Sequence, residues 1–172
     1  MFNRWLVNIF AKLGTCFAGK AEPEHLRRGR LGERAAQKLL QKQGMKFLAA
    51  NFRSKRGEID LIFRAEDLPS SADRRRGLMT GPLKLFRGRT DCLVFVEVKT
   101  RSSEDWTRPA AFVTAGQRRR ISRCALDYLR LLKNPPVKIR FDVVEVLLQD
   151  GLVAEIRHLP NTFALSAPWR YG

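Results

Sequence analysis

The sequence predicts an α/β domain in which one mixed sheet carries a helix on each side. Three observations point there. Hydrophobic spacing divides the chain into the order helix, three strands, helix, two strands. Residues 92–100, Cys-Leu-Val-Phe-Val-Glu-Val-Lys-Thr, form a near-continuous apolar run, as expected of a central strand covered on both faces. A helix stands between that strand and the next, and such a crossover permits a parallel pair in the middle of the sheet.

Each element has a local cause. Pro23 precedes a helical pattern that runs to Gly44, with Leu31, Ala35, Ala36, Leu39 and Leu40 on its apolar face and Gly44 as its stop. Residues 45–52 read as a strand, 53–57 as a tight basic turn, and 58–63 as a second strand. Residues 66–90 break the pattern with Pro69, Ser70, Ser71, Gly77, Gly81, Pro82 and Gly88. A loop this long is unusual inside a compact domain, so it reads as a mobile basic insertion between two hairpin strands. Residues 102–113 read as a loop containing Trp106, either a loop anchor or a platform for a base. Thr114 is a good N-cap, and Gln117 three residues on completes a capping-box pattern. That helix continues to about Lys133 and stops before Asn134, Pro135 and Pro136. Residues 137–148 and 152–159 read as strands joined by an Asp150-Gly151 turn. The organisation is thus an amphipathic extension over 1–22, one domain over 23–160 with its insertion 66–90, and a tail over 161–172.

Composition narrows the function. The chain has 172 residues, 44% of them hydrophobic, which suits one folded domain. Its net charge of +16 implies a polyanionic partner, nucleic acid first and an anionic membrane surface second. Cys16, Cys92 and Cys124 are scattered and odd in number, which disfavours a disulfide framework and suits a reducing cytoplasm. His25 and His158 are too few for a zinc site. No apolar run is long enough to cross a bilayer. Met1, Phe2, Trp5, Leu6, Ile9, Phe10 and Leu13 recur at helical spacing. A helix packed on the domain, or a poorly ordered extension, is the favoured reading of residues 1–13, and a membrane-surface helix the alternative.

Chemistry is carried by three short segments that put charge where burial forbids it: Gly32-Glu33, residues 57–62 (Gly-Glu-Ile-Asp-Leu-Ile) and residues 95–99 (Phe-Val-Glu-Val-Lys). Strand alternation points Glu97 and Lys99 to the same face, at the end of an apolar strand. Asp60 lies in a short apolar strand expected to pair nearby. Two carboxylates brought together repel, and a hard divalent cation removes that repulsion. Mg²⁺ suits oxygen ligands and keeps waters, one of which can attack a phosphate. Lys99 is placed to orient that water or to stabilise charge developing on the phosphate. Taken alone, Glu97 and Lys99 also fit an ordinary ion pair on a solvated sheet edge. Glu33 has the alternative of a favourable acid early in a helix, and Gln117 that of a cap. Asp142 is expected to have a structural partner, Arg140 or the turn.

The motifs resemble the YraN-like uncharacterised bacterial proteins of the PD-(D/E)XK nuclease superfamily, which also holds archaeal Holliday junction resolvases. The matching residues are Arg30-Leu31-Gly32-Glu33 with Ala35 and Ala36, Asn51-Phe52-Arg53, the two acidic segments with Thr100 and Arg101, Gln117 with the following residues to Ile121, and Arg140-Phe141-Asp142-Val143-Val144. The resemblance implies a restriction-endonuclease-like core with Asp60, Glu97 and Lys99 in active-site positions. It makes Glu33 an accessory acid and Gln117 a polar residue lining the site. The reading is then a Mg²⁺- or Mn²⁺-dependent nuclease acting on DNA, branched or single-stranded, with Asp60, Glu97 and the Val98 carbonyl as metal ligands. The alternative is a non-catalytic nucleic-acid-binding protein on the same fold. Arg74, Arg75, Arg76, Arg101, Arg118, Arg119 and Arg120 are the expected phosphate contacts. Resolvase-like relatives suggest a homodimer by analogy.

Overall fold

The computed structural model describes residues 23–67, 90–102, 113–135 and 137–165. The amphipathic extension, residues 68–89 of the basic insertion with Arg74, Arg75 and Arg76, and Trp106 lie outside these residues. Helix α1 spans Glu24–Lys42, and strands β1 (Lys46–Ser54), β2 (Gly57–Asp67) and β3 (Thr90–Ser102) follow. Helix α2 spans Ala115–Leu131 and leads to β4 (Lys138–Gln149) and β5 (Leu152–Phe163). The sheet order is β1-β2-β3-β4-β5. Only β3 and β4 pair in parallel; the other neighbours are antiparallel. This is the expected α/β architecture, a mixed sheet between two helices, consistent with a restriction-endonuclease-like core.

Local chemistry sets the ends of the elements. Gly44 ends α1 in the left-handed region, at φ 87°. Thr114 and Gln117 form the capping box on α2, each side chain bonded to the other's backbone N–H. Asp150 and Gly151 take φ of 52° and 75°, the left-handed pair that turns a β-hairpin in register with strand twist. Two boundaries differ from expectation. β2 and β3 reach into the region read as insertion, since they pair out to Asp67↔Thr90. β5 continues to Phe163, so residues 161–163 belong to the sheet and not to a tail. Phe163 stacks on Phe141 with ring centroids 4.8 Å apart, and that burial holds the strand down.

The sheet separates two cores. On the α2 face, Ile121, Cys124, Ala125, Tyr128 and Leu129 pack on Phe52, Ile59, Ile62, Phe95, Phe141 and Val143. On the α1 face, Ala36 and Leu40 pack on Leu61, Phe63, Val94, Val96, Val144 and Val146. Gly32 is buried where α1 crosses β3, and a side-chain carbon there would overlap Thr100 Oγ1. The missing Cβ lets the helix approach the strand and brings its neighbour Glu33 in with it.

Candidate active site

The site arises where a ladder stops. β2 and β3 pair from Asp67↔Thr90 to Leu61↔Val96 and then part. Beyond Val96, β3 keeps only its parallel partner β4. The edge left open is taken by a side chain: the Val98 N–H donates to Asp60 Oδ2 at 2.7 Å. The carboxylate thus replaces a backbone carbonyl as acceptor, which satisfies a part-buried donor.

Two features bend the β1–β2 hairpin away at this point. Asn51, opposite Asp60 in the pairing order, sits at φ 51°, a conformation asparagine tolerates better than most residues. Its Nδ2 donates to Glu33 Oε2 at 3.1 Å, tying the bend to α1. At the hairpin tip, Gly57 packs against the Arg120 carbonyl of α2, and the Cys124 thiol donates to the Gly57 carbonyl at 3.3 Å. The bend inverts the strand pattern. Ile59 and Ile62 enter the same core although three residues apart, as do Ala49 and Phe52. Asp60 falls at the inversion and therefore lines a cleft on each side of the sheet.

Glu97 continues the alternation of Leu93 and Phe95 toward the α2 side. Lys99 Nζ lies 2.6 Å from Glu97 Oε1, and both side chains are mostly buried. Glu97 lines the α2-side cleft with Asp60 and Gln117, while Lys99 borders the α1-side cleft with Asp60 and Glu33. Burial first, and then the nearby Glu97 charge, push the Asp60 pKa up to about 7. The Val98 N–H works against the shift, Glu33 adds to it, and Lys99 opposes it. Asp60, Glu97, Lys99 and Glu33 therefore form one electrostatic cluster.

The donor set suits a hard cation that keeps part of its water shell. Among the described residues, no three histidine, cysteine or acidic side chains are grouped to hold a metal. Asp60 and Glu97 would be the cation's side-chain donors, since hard divalent cations take carboxylate oxygens. Burial is the larger cause of the raised Asp60 pKa, and the repulsion from Glu97 and Glu33 is the part that a cation would relieve.

The other expected residues divide. Gln117 is both a cap and a cleft residue: its Oε1 accepts from the Thr114 N–H at 2.9 Å. Arg101 lines the α1-side cleft and Arg120 the α2-side cleft. Arg118 is engaged structurally. Its Nε donates to the Val113 carbonyl at 2.9 Å, and its guanidinium lies over the Phe163 ring. Arg119 is exposed and lines neither cleft. Asn51 and Arg53 stand among the family-matching residues and Arg28 in a basic run, but the sequence pattern assigns none of them a place in the site. Arg28 lies four residues before Gly32 on α1, and that helical spacing was the available signal. Cys92 and Cys124 are buried free thiols. Among the described residues, no helix is long and apolar enough to cross a membrane.

The sequence profile of an uncharacterised protein family, UPF0102, matches residues 32–146, a range that includes Glu33, Asp60, Glu97, Lys99 and Gln117. A UPF0102 protein of Trichlorobacter lovleyi is 38% identical over 138 residues, 80% of this chain and 91% of the relative. One from Pelobacter propionicus is 35% identical over 146 residues, 85% of this chain and 89% of the relative. One from Geotalea daltonii is 34% identical over 148 residues, 86% of this chain and 98% of the relative. The match spans both acidic segments together with Glu33 and Asp142, and the chain belongs to the UPF0102 family.

Proposed function

We propose that the protein is a metal-dependent nuclease that hydrolyses phosphodiester bonds in DNA, on a PD-(D/E)XK-type site. The observation that carries this reading is the end of the β2–β3 ladder, where Asp60, Glu97 and Lys99 come to one open strand edge. Asp60 and Glu97, with the Val98 carbonyl, would hold Mg²⁺ or Mn²⁺. A bound cation supplies neutralisation of phosphate charge and a lowered pKa for attacking water. Lys99, steered by Glu97, holds the attacking water in line or meets the charge that develops on the phosphate. Glu33, fixed by Asn51, contributes a further acceptor facing Asp60 from α1. Gln117 offers its amide from the opposite side, with its Oε1 engaged in the cap. The charge of +16 supplies affinity for a polyanion.

The test is a cleavage panel of linear, branched and single-stranded DNA, and of RNA, with Mg²⁺ or Mn²⁺. Wild-type protein is expected to cut at least one substrate, and Glu97→Gln and Lys99→Ala each to abolish cutting. Glu97→Gln should also weaken Mg²⁺ binding measured by calorimetry. If wild type cuts nothing and neither change alters metal binding, the carboxylates are structural, and a nucleic-acid-binding role on the same fold replaces the nuclease.

A further inference from the structure

Asp60 belongs to two clefts. On the α1 side, a cleft of about 530 Å³ carries Arg28 and Arg101 beside Lys99. On the α2 side, a cleft of about 580 Å³ carries Arg53 and Arg120 beside Glu97. The centre between them is anionic, since Asp60 feels both Glu97 and Glu33. A phosphate chain brought to that centre is repelled unless cations hold it on both approaches. The guanidinium groups have the planar donor geometry that grips phosphate. Arg28 is held by Glu24 at 2.7 Å and Arg53 by Glu58 at 3.0 Å. Both pairs are solvent-exposed, hence weak, and a phosphate can displace the carboxylate.

We propose that the two clefts are phosphate-binding subsites on either side of the reacting phosphate. The ligand is then the interior of a continuous nucleic-acid strand and not a strand end or a mononucleotide. The central site's identity rests on the nuclease reading, whereas the two-sided grip is a statement about binding. A strand that fills both clefts gains from linking two modest contacts, as any bivalent ligand does. A fragment long enough for one cleft gains no such advantage and occupies either.

The test uses the full chain without divalent cations and reads binding by calorimetry across a salt series. The ligands are an oligothymidylate long enough to fill both clefts and a thymidine dinucleotide that fills one. Arg28→Gln and Arg120→Gln are each expected to weaken the long ligand and to lower its salt slope by about 0.7 for each phosphate the variant no longer neutralises. On the dinucleotide each change alone should cost little, because the other cleft still takes it, and the two together should cost much more. Glu24→Gln serves as the control for helix integrity: it releases Arg28, so affinity for the long ligand should hold or rise. The grip is overturned if either arginine change leaves the long-ligand slope unmoved. It is also overturned if short and long ligands respond alike, or if Glu24→Gln weakens binding as Arg28→Gln does. A chain that binds in this two-sided way but cuts nothing would sink the nuclease reading alone. A chain that cuts DNA with binding indifferent to Arg28 would sink the subsites alone.

Discussion

Asp60 and Asp142 lie in one sheet, and their surroundings send them in opposite directions. Asp142, on β4, is wholly buried. Arg140 grips it with two bonds of 2.8 and 2.9 Å, His158 Nε2 lies 2.8 Å away, and the Asn161 N–H donates at 2.9 Å. Burial alone would raise its pKa, but the bonds from His158, Arg140 and Asn161 outweigh that and hold the carboxyl below the ordinary range. Asp60 receives one backbone N–H and faces Glu97 and Glu33. Its pKa goes up. Donor supply, more than burial, separates the two carboxylates. Glu145 sharpens the point. It is 1% exposed, its Oε1 has no hydrogen-bond partner among the described residues, and burial raises its pKa against the pull of Arg157 and Arg101. It lines neither cleft, so a raised pKa by itself does not mark the site.

The comparison breaks most visibly at Asp142. Asp142→Ala leaves the part-buried Arg140 guanidinium without its bidentate partner. It should lower stability by about 3–5 kcal/mol, as loss of one member of a buried ion pair does, read from urea unfolding. A loss no larger than that of an exposed substitution would show the pair to be ornamental. Next in size is Gly32→Ala, whose methyl group meets Thr100 Oγ1. It should cost about 1–3 kcal/mol by overpacking, and Thr100→Ala in the same chain should restore part of it. If the second change restores nothing, the Gly32–Thr100 contact is not what sets the approach of α1.

Asp60→Asn is smaller and opposite in sign. In the metal-free protein at neutral pH it should raise stability by about 0.5–2 kcal/mol, because it removes a buried carboxylate from a repelling cluster. A destabilisation of the same size would mean that Asp60 is tied down as Asp142 is.

Finally, pH separates the two carboxylates. The Asp142 pKa is lowered by folding, so its contribution is present above the unfolded value of 3.8 and is lost as pH falls through its lower folded value. The Asp60 pKa is raised by folding, so its contribution is present below 3.8 and is lost as pH rises through about 7. Thermal melts of metal-free protein should therefore show Asp142→Asn flattening the acid limb and Asp60→Asn flattening the limb between those two values. Identical profiles for the two variants would erase the distinction.

Much of this was legible in the residues. Periodicity located both helices and all five strands, Thr114 and Gln117 announced the cap, and the crossover helix allowed the parallel pair that β3 and β4 make. Glu97 and Lys99 were readable as neighbours because they lie two apart on one strand. Arg140 was anticipated as a partner of Asp142, but His158 and Asn161 were not, because they arrive from β5 through a register shift beside Asp142 that no local pattern encodes. The basic run makes Arg118 an expected phosphate contact, and no local pattern encodes that the Val113 carbonyl and the Phe163 ring engage it.

The sequence by itself determined which elements form and which side chains carry charge into them. Those properties follow from periods of two and 3.6 and from capping and turn chemistry, all interactions between residues close in the chain. Only the tertiary structure decided that Asp60 faces both sides of the sheet. That position depends on Asn51 bonding to Glu33 on α1, on Gly57 meeting Arg120 on α2, and on the β2–β3 ladder ending at Val96. Each of these contacts joins segments far apart in the chain, where packing overrides the local alternation that predicts which face a side chain takes.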